Sequence, residues 1–237
     1  MSKSLFDNYN LSGTNLSSRI VMAPLTRCRA IDGNTPNPLM AEYYGQRAGA
    51  GLIIAEGTAP SPNGLGYTNI PGLFNEQQAN EWKKSTQAVH DKSGKIFVQL
   101  MHTGRISHIE NLPKGSKVVG ASAIAQPGTV KTYLNGHQPY TTPKAMSIDE
   151  VKHCIEEFVN SSKLAVQAGF DGIEVHASHG YLPNQFINEA SNTRTDEYGG
   201  SIENRCRFTI DIVKQTIKHI GKEKVGIRLS PFSYADE

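Results

Sequence analysis

Short apolar segments alternate along the chain with longer stretches in which apolar residues recur at helical spacing. This alternation predicts repeated βα units arranged around a parallel sheet. Each short segment is almost continuously apolar, as is typical of strands that are covered on both faces. The predicted strands are Arg19–Leu25, Ala50–Glu56, Lys95–Leu100, Asp171–His176 and Val225–Ser230.

Three of the longer stretches begin at a residue that can cap a helix. In the clearest case, Ser147 and Glu150 have the spacing of a capping box, in which each side chain bonds the backbone N–H of the other residue. Apolar residues then repeat every three or four positions. The predicted helices run from about Ile148 to Ala168, from Asn75 to near Gly94, and from Ser201 to Gly221.

Two segments depart from this pattern. Leu5–Ser18 has two short extended pieces around Ser12-Gly13-Thr14, which predicts a hairpin before the first βα unit. Asn111–Ala145 is rich in Pro, Gly, Ser and Thr and has no sustained periodicity, so we expect a long loop without regular structure on the active-site side. With no repeat or linker evident, residues 1–237 are predicted to form a single domain.

Composition narrows the class of protein only a little. The 237 residues are 38% hydrophobic with a net charge of +2, which does not favour a nucleic-acid partner. The N-terminus lacks an apolar signal core and no apolar run is long enough to span a membrane, so we expect a cytoplasmic protein. Cys28, Cys154 and Cys206 are far apart and include no C-x-x-C pair, so neither disulfides nor a thiolate metal site is predicted.

Polar residues lie where the predicted strands end. The C-terminal ends of parallel strands meet at one face of a barrel, so residues distant in sequence can converge there. The richest end is His176-Ala177-Ser178-His179-Gly180-Tyr181, where three proton-handling side chains leave one strand within a single turn of chain. The others are Thr26 after the first strand, Gly57 after the second, Gln99 and His102 around the third, and Arg228 in the fifth.

Each of these residues also has an ordinary structural interpretation. His176 could be a hydrogen-bonded strand-end histidine, and Tyr181 an aromatic residue at a helix start. Arg228 could pair with a core carboxylate, and Gly57 could serve a tight turn. His176 and His179 could bind zinc, but no third ligand is evident nearby, so no metal site is predicted.

Five motifs follow one another in the order and spacing found in the old yellow enzyme family, whose sequences this chain resembles from its N-terminal region to its last residues. The resemblance is strongest to the N-ethylmaleimide reductases and 12-oxophytodienoate reductases. The motifs are Val21–Arg27, Gln99–Arg105, His176–Phe186, Arg194–Arg205 and Gly226–Pro231.

The resemblance implies an FMN-binding (β/α)8 TIM barrel, of which about five βα units are present in this sequence. It also implies reduction of small electrophilic alkenes by ping-pong hydride transfer, with NADPH (or NADH) as the electron donor. Arg228 would lie near flavin N1 and O2, where its charge stabilises negative charge on the ring. The other implied flavin contacts are Pro24, Thr26, Gly57 and Gln99.

By the same resemblance, His176 and His179 bind the substrate's carbonyl or nitro oxygen, and Tyr181 donates a proton to the α-carbon. Tyr67 and Met101 line the substrate pocket. Met101 stands where many relatives carry tryptophan, and its flexible thioether should widen the pocket. Pro183-Asn184 replaces a more usual Leu-Asp pair, with little expected effect because proline is tolerated in a first helical turn.

A closed barrel needs about 250 residues, and its phosphate site lies in the loops after strands seven and eight, which this sequence does not include. We therefore expect a fragment of a longer enzyme, or a chain that associates with another to complete the barrel. The alternatives are a non-catalytic binding or regulatory module and a metal-dependent hydrolase. An iron–sulfur relative is disfavoured because the sequence has no cysteine cluster.

Overall fold

A computed structural model describes residues 4–231. In this range the strands, in chain order, are β1 (Tyr9–Leu11), β2 (Thr14–Leu16), β3 (Val21–Met22), β4 (Leu52–Thr58), β5 (Ile96–Leu100), β6 (Val119–Gly120), β7 (Thr129–Thr132), β8 (Gly136–Pro139), β9 (Lys144–Ala145), β10 (Gly172–Ala177) and β11 (Val225–Leu229). The α-helices are α1 (Pro38–Gly45), α2 (Glu76–His90), α3 (Ile148–Gln167), α4 (Leu182–Ile187) and α5 (Ile202–Ile220).

The central feature is a five-stranded sheet in the order β3-β4-β5-β10-β11, with every neighbouring pair parallel. Strands adjacent in this sheet follow one another in sequence, as a succession of βα units requires. The sheet is curled, and it forms about five of the eight units of a (β/α)8 barrel. The predicted fold class is therefore confirmed.

The hydrophobic core lies between this sheet and the helices outside it. Trp82 of α2, Phe158 of α3 and Phe208 of α5 are fully buried, in one cluster with Ile53 and Ile173 of the strands. Each such side chain stabilises the fold by about 1.5–3 kcal/mol relative to an exposed one. The capping box of Ser147 and Glu150 is present at the start of α3, as predicted.

The predicted hairpin is confirmed, since β1 and β2 pair antiparallel with Tyr9 opposite Leu16. The first predicted strand, Arg19–Leu25, is much shorter in the structure, where only Val21 and Met22 pair with β4. Helix α1 was not predicted. Its signal was local, because Asn37 caps it and Pro38 occupies its first turn.

The prediction of a structureless loop over Asn111–Ala145 is wrong. β6 and β9 pair in parallel, and β7 and β8 form an antiparallel hairpin within this segment. Contacts outside the hairpin stabilise it, because the Asn111 amide donates to the Lys131 carbonyl oxygen and the Tyr133 hydroxyl accepts from the Asn69 N–H. Strands this short, stabilised by contacts with other segments, leave no detectable hydrophobic periodicity in the sequence.

Within residues 4–231, none of the helices combines the length and the apolar character that crossing a membrane would need.

Candidate active site

The chain turns sharply where β10 ends, and this turn positions the predicted catalytic residues. His179 has a φ of 55° and Gly180 a φ of 75°. A positive φ is unfavourable for a histidine, and strain of this kind clusters at functional sites. The His179 N–H donates to the Ser230 hydroxyl after β11, and the Gly180 N–H donates to the Asn184 side chain. The turn is thus bonded to the neighbouring strand end and to α4.

Ser178 joins the two histidines. Its hydroxyl oxygen lies 3.0 Å from Nδ1 of His176 and 3.0 Å from Nδ1 of His179, and the two rings are nearly perpendicular. A hydroxyl has one proton, so it donates to one imidazole and accepts from the other. Both Nδ1 atoms are therefore engaged by Ser178, and each ring keeps its Nε2 edge for a ligand.

His176 is held in the neutral state. Burial, followed by the nearby His179 and Arg228, lowers the pKa of His176 to about 3. A neutral His176 that accepts the Ser178 proton at Nδ1 carries its own proton on Nε2. That N–H can donate to a substrate oxygen at neutral pH.

Tyr181 lies against this histidine pair. Its ring centroid is 4.7 Å from that of His176, and its hydroxyl is 3.0 Å from the hydroxyl of Tyr67. Burial raises the pKa of Tyr181, and the hydrogen bond from Tyr67 partly offsets the rise. Tyr181 is thus protonated at neutral pH, as a proton donor must be.

Gln185 fixes the catalytic turn to the segment after β5. Its Nε2 donates to the carbonyl oxygens of Thr103 and Gly180, and its Oε1 accepts from the Arg105 N–H. Gly104 has a φ of 59°, and a Cβ there would lie 2.3 Å from Gln185 Oε1. Glycine is therefore required at 104 both by conformation and by this close approach.

Glu174 connects the two predicted flavin contacts on the sheet. Its carboxylate accepts from Gln99 Nε2 at 2.8 Å, from Arg228 Nε at 2.8 Å and from Arg228 Nη2 at 3.3 Å. The strand register places Glu174 beside Gln99, and His176 beside Arg228. The structural interpretation of Arg228, pairing with a core carboxylate, is thus borne out, and its exposed edge remains available to a ligand.

Gly57 does not serve a positive-φ turn, which was its alternative interpretation. It lies in β4 against Met101, where a Cβ would be 2.6 Å from Sδ and 2.7 Å from Cε of the methionine. Its role is therefore close packing.

Pro24 and Thr26 lie just beyond β3, where Pro24 is half-buried and Thr26 is exposed. Within the described range, no hydrogen bond links Thr26 to the other predicted site residues.

The zinc interpretation of His176 and His179 gains no support from the geometry. Among the described residues, three potential ligand side chains with atoms within 4.8 Å of one another lie elsewhere, between the segment after β5 and α3.

Sequence reasoning missed Glu174, Ser178 and Gln185. Glu174 had a detectable signal, because residues two apart in a strand share a face and it precedes His176 by two. Ser178 had only its place between two histidines. Gln185 had no such pattern, since two of its three partners are loop backbone groups about 80 residues earlier.

Comparison with known proteins agrees with this geometry. Residues 4–237 match the NADH:flavin oxidoreductase / NADH oxidase family. 12-oxophytodienoate reductase 7 of Oryza sativa subsp. japonica is 41% identical over 96% of this chain and 58% of its own length. A probable flavin mononucleotide-dependent alkene reductase of Leishmania infantum is 42% identical over 94% of this chain and 62% of its own.

The solved old yellow enzyme homologue of Zymomonas mobilis superposes with a TM-score of 0.93 at 44% identity, over 97% of this chain and 64% of that one. The chain thus spans about three fifths of the length of these relatives. A family match over almost every residue, with an old yellow enzyme fold at this identity, establishes that the chain belongs to the NADH:flavin oxidoreductase / NADH oxidase family, among the old yellow enzyme homologues.

Proposed function

We propose that this chain carries the catalytic residues of an FMN-dependent ene reductase. The substrates would be alkenes activated by a carbonyl or nitro group, and NADPH would be the electron donor. The observation that carries the proposal is the pair of imidazoles joined through Ser178, with the Tyr181 ring packed against His176. One group can hold an electron-rich oxygen while the other supplies a proton.

The residues present fit a flavin. Its pyrimidine ring offers an N–H between two carbonyl oxygens and needs both acceptors and donors. Glu174 accepts from the Gln99 amide nitrogen, and the Gln99 side-chain oxygen, which accepts no hydrogen bond from the described residues, can accept from that N–H. Arg228, about one third exposed, has N–H groups beyond those that Glu174 accepts. Gln99 and Arg228 would hold this edge, with Thr26, Pro24 and Gly57 along the ring.

When bound, FMN would supply hydride that it has received from the nicotinamide. The chain's own contribution is polarisation and proton transfer. His176 Nε2–H donates to the substrate oxygen, while His179 donates its Nδ1–H to Ser178 and so keeps the Ser178 proton directed at Nδ1 of His176. Withdrawing electron density through this oxygen makes the β-carbon electrophilic and stabilises the negative charge that develops on the oxygen.

Tyr181 then donates its phenolic proton to the α-carbon, and Tyr67 stays hydrogen-bonded to the phenolic oxygen that is left. General acids of this kind contribute on the order of 10²–10⁴-fold to rate. Because nicotinamide and alkene would use one pocket, we infer ping-pong kinetics.

Met101 supports a wider substrate range. Its buried thioether packs against Gly57, and it belongs to the apolar cluster against which Tyr67 packs. A flexible side chain here adapts to substrates that a rigid indole would exclude. Replacing Met101 by Trp should change the product ratios, and identical ratios would remove this part of the proposal.

The sheet edges support association with further strands. β3 pairs with β4 alone, and β11 with β10 alone, among the described residues. Val21 is 46% exposed, and Ile227 and Leu229 are 42% and 58% exposed. Open edges of this kind pair readily with additional strands. We propose that further parallel strands, of this polypeptide or another, cover both edges and complete the grip on FMN.

The test is anaerobic reconstitution with FMN, followed by NADPH and then 2-cyclohexenone. NADPH should bleach the flavin, and the enone should restore its colour. In Tyr181→Phe, bleaching should be unchanged while reoxidation by the enone slows about 10²–10⁴-fold. Tyr43→Phe, on α1, is the matched control. Absence of bleaching at saturating FMN would exclude the enzyme function for this chain and favour a binding module.

A further inference from the structure

We propose that His102, Cys154 and Glu157 form a binding site for a divalent cation of the Zn²⁺ class, with water as the fourth ligand. These three residues, called here the α3 cluster, lie between the segment after β5 and the outer helix α3. Their ligand atoms are all within 4.8 Å of one another. Nothing in the proposed alkene reduction uses them, so the site is independent of that function.

The fold creates this cluster from residues distant in sequence. His102 follows β5 by two residues, and its backbone carbonyl accepts from the Leu182 N–H at the start of α4. Cys154 and Glu157 are one helical turn apart on α3 and so share a face. The cysteine spacing gave no hint of a thiolate site, because the third ligand comes from a strand end rather than from a second cysteine.

The three atom types suit zinc. Imidazole nitrogen, thiolate and carboxylate oxygen are its usual ligands, at about 2.0–2.3 Å. In a tetrahedral site those bond lengths put neighbouring ligand atoms about 3.3–3.8 Å apart. The separations, all within 4.8 Å, exceed this by about 1.5 Å at most, an adjustment that side-chain rotation can supply. One thiolate and one carboxylate also neutralise the charge of a divalent ion.

An unpartnered polar atom points to a ligand here. His102 is 1% exposed, and its buried Nε2 has no hydrogen-bond partner among the described residues. Leaving such a group unpaired is unfavourable, and a bound ligand would remove that penalty.

Binding of the ion changes the hydrogen bonding of the turn after β5. Nδ1 of His102 accepts from the Gly104 N–H at 3.1 Å, which assigns the ring proton to Nε2 in the metal-free protein. Binding at Nε2 moves this proton to Nδ1 and breaks the bond from Gly104, while the Cys154 thiol loses its proton to solvent.

A fourth ligand can enter from solvent. The cluster borders a cleft of about 270 Å³, whose other lining residues include Asn63, Lys117 and His153. Nε2 of His153 lies 3.7 Å from a Glu157 oxygen, where it can orient the carboxylate. Three protein ligands with one position open to solvent is a common arrangement for zinc.

Cobalt titration tests the proposal, because Co²⁺ replaces Zn²⁺ and gives visible and thiolate charge-transfer absorption. The parent protein is the full chain with Cys28→Ser and Cys206→Ser, which leaves Cys154 as its one thiol. It should bind one Co²⁺ with a thiolate charge-transfer band, and Zn²⁺ should abolish that band. Adding Cys154→Ser should remove it. Absence of the band in the parent, or its survival in Cys154→Ser, would overturn the proposal.

Substituting the neighbouring carboxylates Glu157 and Glu156 one at a time gives a second test, which leaves the apolar core unchanged. Glu157→Gln should weaken Co²⁺ binding at least tenfold, whereas Glu156→Gln, one residue away and 72% exposed, should leave it within twofold. Circular dichroism checks that both variants are folded. Equal effects of the two substitutions would contradict the assignment of Glu157 as a ligand.

Discussion

The hydroxyl groups of Tyr67 and Tyr181 lie 3.0 Å apart, although 114 residues separate them in sequence. Their rings meet edge to face at 89°. Burial raises the pKa of both phenols, and the bond between them lowers that of Tyr181. Tyr67 therefore sets how readily Tyr181 can give up a proton.

Replacing Tyr67 by Phe should raise the pKa of Tyr181, because the hydrogen bond that lowers it is removed. A proton donor is active below its pKa and inactive above it. The alkaline limb of the pH profile for enone reduction should therefore move to higher pH, while the rate at neutral pH falls modestly because a weaker acid transfers its proton more slowly.

The measurement is the rate of flavin reoxidation by 2-cyclohexenone across the alkaline range. Tyr133→Phe provides a matched control. It removes a hydroxyl of the β7–β8 hairpin that accepts a hydrogen bond from the Asn69 N–H. An alkaline limb that stays in place in Tyr67→Phe, or moves equally in Tyr133→Phe, would show that Tyr67 does not tune Tyr181.

Replacing Glu174 by Gln should weaken FMN binding at least tenfold. The carboxylate accepts from both Gln99 and Arg228 and so fixes two side chains that would contact the flavin. A glutamine amide has one acceptor oxygen, and its NH₂ group would face a donor. Arg228 would then lose its orientation. FMN dissociation constants follow from quenching of flavin fluorescence, with exposed Glu203→Gln on α5 as the control. A dissociation constant within twofold of the parent would contradict this role for Glu174.

The sequence was most informative where structure depends on local chemistry. The strand β10 was predictable because Gly172-Ile173-Glu174-Val175 is short and mostly apolar, and α3 because Ser147 and Glu150 cap it. The convergence of His176 with Gln99 and Arg228 followed from the rule that parallel strands end at one face.

What could not be predicted depends on partners distant in sequence. Glu174 lies within an apolar run, and its importance comes from Gln99 and Arg228, which are 75 and 54 residues away. The β7–β8 hairpin is four residues per strand and relies on Asn111 and Tyr133 for its position. The strand period places Glu174 on the same face as His176, but no periodicity within either segment identifies these distant partners.

Gly57 and Met101 should show strong energetic coupling. An added Cβ at 57 would lie 2.6 Å from Met101 Sδ, so Gly57→Ala should destabilise the fold by about 1–3 kcal/mol through overpacking. Met101→Ala alone should destabilise it by about 2–5 kcal/mol because it leaves a cavity. In the double variant the methyl group added at position 57 enters that cavity, so the combined loss should fall short of the sum by about 1 kcal/mol or more.

Urea unfolding of the four proteins gives the coupling free energy. Gly226→Ala is the control for adding a methyl group to a strand glycine, because its Cβ would meet only the Ile173 carbonyl oxygen at 3.5 Å. Strict additivity of Gly57→Ala and Met101→Ala would mean that the two side chains do not compete for the same space.

Asp171, at the start of β10, should stabilise the fold only while it is ionised. Burial raises its pKa, but hydrogen bonds from His90, the Ile96 N–H and Lys95 outweigh that effect and lower it. A lowered pKa contributes stability above the unfolded value of about 3.9, and that contribution is lost as the pH falls through the folded value. Asp171→Asn should therefore cost about 1–3 kcal/mol at pH 7.

The cost of Asp171→Asn should shrink as the pH falls below about 4, because the parent protein then loses the same charge. Urea unfolding at pH 7, 5 and 3.5 measures this difference between parent and variant. Asp91→Asn, at the exposed end of α2, should show a small cost at every pH. Suppose that Asp171→Asn lowered the free energy of unfolding equally at pH 3.5 and at pH 7. The stabilisation would then arise from the shape of the side chain and its neutral hydrogen bonds, and not from the charge of Asp171 beside His90 and Lys95.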